Sequence, residues 1–263
     1  GGGGGRGGGG GGGGGGGCRP PPGRSADPRK SGAAAFPCLA RREHKRNMAK
    51  SRQIEAVKGR MLLRSMLWRR HISSGDAFGD SIAAESAFLS QKSVVEYCRA
   101  KAGLNWETLF AEAPFRAALE ICRWEAFAAV LADMTVIAEG LLRPHVGMRH
   151  AALADALTQQ AARALAAHAR PAHRPDGWGD ALAALRQRLA LCQLAAPLPV
   201  HEVGRASGTR IVELLPIHPR LRRDDGEVVV NNIRFGLCRS HEEVSRRTDL
   251  PAVAADMLAC RTE

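Results

Sequence analysis

The sequence has few aromatic residues and no long uninterrupted apolar run. Phenylalanine, tryptophan and tyrosine make up 5% of the 263 residues, and Tyr97 is the single tyrosine. The longest clean apolar run covers residues 126–132, which is far shorter than the roughly 20 residues that a membrane-spanning helix needs. No hydrophobic core of a signal peptide is present either. The sequence therefore predicts no transmembrane segment, while a hydrophobic content of 44% is sufficient for a packed core.

The common catalytic and cofactor-binding motifs are also missing. The chain contains no Gly-x-Ser-x-Gly elbow, no P-loop, no dinucleotide glycine fingerprint and no His-Glu-x-x-His motif. The histidine pairs 145/150 and 168/173 are five residues apart, which is not the spacing of a helical zinc site. These absences favour a protein that is not an enzyme, and we assign no catalytic residue, no metal site and no cofactor.

The seven cysteines are too widely separated to form a metal knuckle or a Cys-x-x-Cys redox pair. An odd number of isolated cysteines, most of them within apolar helical patterns, is typical of a reducing compartment. We therefore predict a soluble protein in the cytoplasm. The cysteines are Cys18, Cys38, Cys98, Cys122, Cys192, Cys238 and Cys260.

Acidic residues are scarce in the first 71 positions, and this scarcity accounts for the whole basic character of the chain. The formal net charge is +12. Residues 1–47 contribute +7 and residues 48–71 contribute +6, so the remaining residues carry −1. Any function that depends on positive charge, such as binding to nucleic acid or to an anionic membrane, must therefore reside in the first 71 residues.

Residues 1–47 are rich in glycine, proline and arginine and show no hydrophobic period. Such a segment buries too little apolar area to offset the entropy of ordering, so it is expected to be disordered. Arginine outnumbers lysine 32 to 6, a bias typical of a GC-rich, bacterial genome. We therefore expect that the natural start is Met48 and that residues 1–47 are an extension of the gene prediction. A genuine disordered tail is the alternative.

Residues 48–71 are predicted to form a basic amphipathic helix. Apolar residues, among them Ile54, Val57 and Met61, fall near one stripe, and basic residues cover the opposite face. The arginines could grip phosphates, and the tryptophan could stack on a base or lie in a membrane interface. The alternatives are a solvated face on a helix that packs against the fold, or an arginine-rich transit peptide. The candidate binding residues are Arg60, Arg64, Trp68, Arg69 and Arg70.

Residues 72–263 are predicted to be a single, mainly α-helical domain that resembles a helical bundle. Helical periodicity and capping signals predict the long helices and a short last helix after Thr248. The stretch "VHEVGRASGTRIVELLPIH", which ends at His218, has β-branched runs on either side of "RASG", and it predicts one short β-hairpin in the C-terminal third. The predicted long helices cover about residues 80–102, 115–142, 147–169, 177–195 and 225–247.

The helix predicted over residues 115–142 carries a charged residue within its apolar stripe, namely Asp133. A carboxylate there needs a partner, and Arg99, Arg123 or Tyr97 could supply one. Glu120 lies on the same face as Arg123, so Arg99, Glu120, Arg123 and Asp133 form a predicted polar seam. The seam could be a binding pocket or could hold a general acid or base. An internal ion pair that fixes the helix register is the favoured interpretation.

Three further residues have reactive side chains, but their positions favour structural roles. Cys98 and Cys122 are each followed by an arginine, which could activate a thiol. Neighbours in a helix point about 100° apart, however, so both cysteines are predicted to be packing residues. His241 falls on an apolar stripe and is predicted to be a core residue.

These observations predict a helical protein that binds an unidentified protein partner, with residues 48–71 as its docking element. One alternative is weak, non-specific contact of the same residues with nucleic acid, another anionic polymer or an anionic membrane surface. Another alternative is an enzyme whose site is built around the polar seam. No helix-turn-helix or other sequence-specific DNA-binding motif is evident, so sequence-specific DNA binding is not expected.

Overall fold

The structure, a computed structural model, describes residues 71–259. Residues 1–70 and 260–263 lie outside the described part of the chain. The segment predicted to be disordered, residues 1–47, is therefore not described. The same holds for the predicted basic helix, of which only the last residue, His71, is included.

The described residues are mainly helical, which confirms the predicted class. A π-helical turn, Lys92–Glu96, joins the first helix to the second, and short 3₁₀ turns cover Gly103–Asn105 and Arg143–His145. The α-helices are α1 (Gly75–Gln91), α2 (Tyr97–Ala102), α3 (Trp106–Ala111), α4 (Ala113–Leu142), α5 (His150–Ala166), α6 (Gly179–Cys192), α7 (Val200–Val203), α8 (Arg205–Leu214), α9 (Pro219–Arg247) and α10 (Leu250–Ala259).

The 30-residue helix α4 is the centre of the fold. Its second half is buried on nearly every side, with Val130, Met134 and Ala138 at most 1% exposed. A helix that is apolar all round must be covered by others, and α1, α5, α6, α8 and α10 all pack against it. α4 therefore fixes the position of every side chain that it projects into the core.

The first helix begins at Gly75, five residues before the predicted start at about residue 80. The Ser74 hydroxyl accepts a hydrogen bond from the main-chain N–H of Ala77 at 3.3 Å and caps the helix. Phe78, which precedes the predicted start of this helix, is fully buried. Burial of this ring therefore outweighs the loop tendency of the surrounding glycine and aspartate residues.

The predicted β-hairpin in the C-terminal third is wrong, because this stretch forms the helices α7 and α8. Val203, Ser207, Ile211 and Leu215 recur every four residues, and each is at most 2% exposed. A period of four is helical. Burial of this helical face therefore outweighs the β propensity of the β-branched residues in the stretch.

Gly208, in the predicted turn, and Gly204, directly before it, allow α8 to lie close to α9. A Cβ atom at Gly208 would meet Val230 Cα at 3.0 Å, and one at Gly204 would meet Arg234 Cα at 3.3 Å. The small residues in "GRASG" are therefore needed for contact between two helix backbones, not for a reversal of the chain.

A short backbone contact joins the start of the described chain to the corner between α9 and α10. The Ile72 N–H donates to the Arg247 carbonyl at 2.8 Å, and the Asp249 N–H donates to the Ile72 carbonyl at 2.8 Å. This parallel bridge is the only β-type pairing within residues 71–259. The Asp249 side chain accepts from the Ala252 N–H at 3.1 Å, so Asp249, and not Thr248 as predicted, caps the last helix.

None of the helices within residues 71–259 has the length and apolar character needed to span a membrane.

Candidate functional site

Three acidic side chains of α4 point into the protein, and each one contacts an arginine from outside that helix or from its C-terminal end. Asp133 and Glu139 are fully buried, and Glu125 is 7% exposed. A buried carboxylate without a counter-charge is strongly unfavourable. The charged core consists of these three pairs, Glu125–Arg174, Asp133–Arg188 and Glu139–Arg143.

Asp133 joins α4 to α6 and α8. One carboxylate oxygen accepts from the Arg188 guanidinium at 2.5 Å, and the other accepts from the Ser207 main-chain N–H at 3.2 Å. Arg188 also donates to the Val203 carbonyl at 3.3 Å. Burial raises the pKa of the Asp133 carboxyl, and the contacts with Arg188 and Ser207 oppose that rise.

Glu139 and Arg143 form a two-point ion pair at the C-terminal end of α4. Arg143 Nε lies 2.9 Å from one Glu139 oxygen, and a terminal nitrogen lies 2.6 Å from the other. The same guanidinium donates to the carbonyls of Cys192 and Ala195 at 3.0 and 2.6 Å. Arg143 therefore connects the end of α4 to carbonyls at and just beyond the C-terminal end of α6.

Glu125 holds the loop between α5 and α6 against α4. It accepts from Arg174 at 2.7 and 2.8 Å, and His173 Nε2 lies 3.1 Å from one of its oxygens. Arg210 of α8 adds a longer contact at 3.4 Å. Burial raises the pKa of Glu125, but the hydrogen bonds from Arg174, His173 and Arg210 outweigh it and leave the pKa below its ordinary value.

The predicted polar seam is only partly assembled. Arg123 lies 3.0 Å from Glu120, as the helical spacing predicted, and it also donates to the Gln91 side chain at 3.1 Å. The Trp124 indole N–H donates to Glu120 at 2.7 Å. The side chains of Arg123 and Glu120 are 41% and 53% exposed, so this cluster is a surface group and not a closed pocket.

Arg99 and Asp133 do not make the contacts that were predicted for the polar seam. The Arg99 guanidinium stacks over the Trp106 ring, 4.2 Å from its centre. The Tyr97 hydroxyl donates to Asp225 at 2.7 Å. The partner that we expected for Asp133, namely Arg99, Arg123 or Tyr97, is thus replaced by Arg188. A projection of one helix identifies which residues point inward, but it does not identify the helix that they meet.

Some of the remaining residues singled out from the sequence lie in the described region, and others lie outside it. Arg60, Arg64, Trp68, Arg69 and Arg70 all lie outside the described part of the chain. Cys98 and Cys122 are fully buried or nearly so, and burial raises the pKa of each thiol to about 12. Both thiols are therefore protonated at neutral pH, which agrees with a packing role. His241 is half-buried and borders a cavity.

This cavity has a volume of about 130 Å³ and lies beside the Glu139–Arg143 pair. The charged groups on its wall already bond to each other and to the end of α6. No cluster of three histidine, cysteine, aspartate or glutamate side chains that could hold a metal ion occurs within residues 71–259. The other residues on the cavity wall are Val136, Ile137, Gly140, Leu141, Cys192, Pro197, Leu198, Val200 and Val203.

The sequence pattern did not identify the arginine partners of the charged core. Arg188 lies three residues after Leu185 and directly before Leu189, both of which are buried in α6. A basic residue at the edge of an apolar stripe is the signal that could have identified it. Arg174 lies in a loop without periodicity, so no such signal existed for it.

No family model matches the chain, and neither does any curated protein or any solved structure. The function is therefore inferred from the residues themselves.

Proposed function

We propose that the protein is a non-enzymatic, helical partner-binding protein and that residues 48–71 are its docking element. The observation that carries the proposal is the segregation of charge. Residues 48–71 hold seven basic residues and one acidic residue, whereas residues 72–263 carry a net charge of −1. The docking contacts are assigned to Arg60, Arg64, Trp68, Arg69 and Arg70.

The partner is expected to be a protein with an acidic groove. The arginines would pair with carboxylates of the partner. The apolar stripe that includes Ile54, Val57 and Met61 would pack against apolar side chains at the bottom of the groove. Opposite charges across an interface speed association and reject wrong partners, while buried apolar side chains supply most of the affinity.

The use of the buried carboxylates supports a non-enzymatic role. Asp133 was the strongest candidate for a general acid or base, yet it is fully enclosed and both of its oxygens accept hydrogen bonds from the protein. A catalytic acid or base must reach the proton that it transfers. The charged core is therefore best understood as a structural element that fixes α6 and α8 against α4.

Contact with nucleic acid or an anionic membrane through the same residues is the second candidate. It is favoured by Trp68, which lies among four arginines in a segment with a single acidic residue. Arginines of this kind bind phosphate groups, and the tryptophan could stack on a base or lie among lipid headgroups.

The test compares affinity capture by three versions of the full chain from native cells after mild cross-linking. The first is the unchanged protein. In the second, Arg60, Arg64, Arg69 and Arg70 are each replaced by Gln. The third is the matched control, R116Q/R149Q/R186Q/R205Q, which removes four exposed arginines of the described region. Both variants lower the formal charge from +12 to +8, so a difference between them reports position and not total charge.

The proposal expects one protein to be recovered by the unchanged chain and by the control, and to be lost with the first variant. The purified partner should then re-form the complex with the purified chain. Recovery of nucleic acid or lipid alone would favour the second candidate. Equal recovery of the same protein by all three versions would refute residues 48–71 as the docking element.

A further inference from the structure

One face of α9 exposes apolar side chains at a regular spacing. Leu221, Val228 and Phe235 follow each other at intervals of seven residues, and they are 38%, 55% and 75% exposed. Seven residues span close to two helical turns, so the three side chains lie along one line of the helix. A lone exposed apolar residue needs no explanation, but an aligned row on one helix indicates an interaction surface.

Charged and amide side chains continue the same face between and beyond the apolar row. Asp224, Asn232 and Arg239 are all exposed and lie within about 50° of the row by helical periodicity. The nearest basic partner of Asp224 is Arg220, at 3.9 Å, and both side chains are more than half exposed. Within the described part of the chain, Arg239 forms no ion pair that competes for it.

The order of these residues is self-complementary when the helix is reversed. Val228 and Phe235 lie symmetrically about the point between Asn231 and Asn232, and Asp224 and Arg239 lie symmetrically about the same point. In an antiparallel pair of two α9 helices, residues that are symmetric about the centre face each other. This arrangement therefore places Val228 against Phe235 and Asp224 against Arg239.

We propose that the outward face of α9 binds a second copy of this chain, with the two helices antiparallel about a twofold axis between Asn231 and Asn232. Val228 packs against the partner's Phe235, and Phe235 packs against the partner's Val228. Asp224 pairs with the partner's Arg239 at both ends of this apolar centre. At each outer end, Leu221 and the preceding Arg220 lie opposite the partner's Glu242.

The charge pattern selects this partner and this direction. A parallel pair would place Asp224 opposite the partner's Asp224 and Arg239 opposite the partner's Arg239, and both contacts are repulsive. A twofold axis at Val228 would leave Arg239 without an acidic residue across the interface. A twofold, isologous contact is also the commonest closed arrangement of identical chains.

The first test is sedimentation velocity of the full chain over a hundredfold range of concentration. A reversible monomer–dimer equilibrium is expected, and Phe235→Ser should weaken it about tenfold or more because Phe235 is the most exposed apolar residue of the centre. The matched control is Met148→Ser, since Met148 is 97% exposed and belongs to the turn before α5, not to α9. A chain that stays monomeric throughout, or a dimer that Phe235→Ser leaves intact, would overturn the proposal.

The second test exchanges the charges and determines the register. Asp224→Arg alone and Arg239→Asp alone each place like charges opposite each other and should weaken the dimer. The double exchange D224R/R239D should restore it, because the pair is again complementary. Dissociation that persists in the double variant would overturn the antiparallel register. Thermal unfolding of each variant checks that these exposed positions leave the fold intact.

This inference is independent of the proposed function, since α9 and residues 48–71 share no residue. Loss of self-association in Phe235→Ser with unchanged capture of a partner would separate the two. Loss of capture in the arginine variant of residues 48–71 with an unchanged dimer would separate them in the other direction.

Discussion

Asp133 and Glu120 are acidic residues of one helix, and their surroundings give them different energetic roles. Asp133 is fully buried between Arg188 and the main chain of Ser207, whereas Glu120 contacts Arg123 and Trp124 at the surface. An exposed ion pair is screened by water, but removal of one member of a buried pair leaves the other without compensation. Burial therefore decides which carboxylate stabilises the fold.

Replacement of Asp133 by Ala should destabilise the protein by about 3 kcal/mol, the lower end of the range for a broken buried pair, because Arg188 is 28% exposed and regains some water. Glu120→Ala is the matched control on the same helix and should cost less than about 1 kcal/mol. Urea denaturation followed by circular dichroism measures both. Equal losses for the two variants would contradict the structural role of Asp133.

Glu125 should make part of the stability dependent on acid pH. Its pKa is lower in the folded state than in the unfolded chain, because the hydrogen bonds from Arg174, His173 and Arg210 outweigh the effect of burial. The unfolded state therefore binds the extra proton, so this contribution is complete above the ordinary glutamate pKa and is lost as the pH falls through the folded value.

Glu125→Gln should consequently cost on the order of 2 kcal/mol at neutral pH, and the difference from the unchanged protein should shrink as the pH falls below the ordinary glutamate range. Urea denaturation at a series of pH values gives the difference directly. A difference that stays constant down to strongly acidic pH would mean that Glu125 has no lowered pKa.

Cys98 and Cys122 should resist alkylation in the folded protein. Burial raises the pKa of both thiols to about 12, so the reactive thiolate is scarce at pH 8, and the sulfur atoms are also shielded from the reagent. Cys192 and Cys238 are half-buried and serve as internal controls that should react earlier. Peptide mapping after timed treatment with iodoacetamide measures each site, and early modification of Cys122 would favour a reactive role.

At the scale of the helices, the sequence predicted the type and approximate extent of most elements but not their neighbours. The central helix was predicted at about 115–142 and is observed at Ala113–Leu142, since a long apolar pattern is a strong local signal. The stretch from Val200 to Leu214 was misassigned because "RASG", which ends at Gly208, resembles a turn between two β-branched runs. Gly204 and Gly208 instead allow close contact with α9. Their role depends on the backbone of α9, which no local pattern reveals.

Gly208→Ala should destabilise the protein by about 1–2 kcal/mol. The new methyl group would lie 3.0 Å from Val230 Cα, a backbone atom that cannot move away easily, and this overpacking outweighs the gain in helix propensity. Gly179→Ala is the matched control, because no atom of a neighbouring element lies within 4 Å of a Cβ placed there. The control should be neutral or slightly stabilising in thermal denaturation, and a stable Gly208→Ala variant would contradict close packing of α8 on α9.

At the scale of the whole molecule, the buried acid and the basic residues before the described region were found by different sequence signals. Asp133 belongs to the charged core, where Arg188 and Arg174 come from helix and loop segments far along the chain. Such partners follow from the tertiary arrangement, so the sequence identified the buried acid and missed the bases. The basic residues between Arg60 and Arg70 are a feature of composition alone, and charge counting was sufficient to find them.

The most direct test of the docking proposal is a binding titration at low and at high ionic strength. The labelled full chain is titrated with the captured partner, with duplex DNA and with phosphatidylserine vesicles, and R60Q/R64Q/R69Q/R70Q is measured alongside. We predict that partner binding persists at high salt, because apolar side chains contribute to it, and that the variant weakens it at least about tenfold. Tight binding to DNA or vesicles that vanishes at high salt, with no salt-resistant partner binding, would contradict the account.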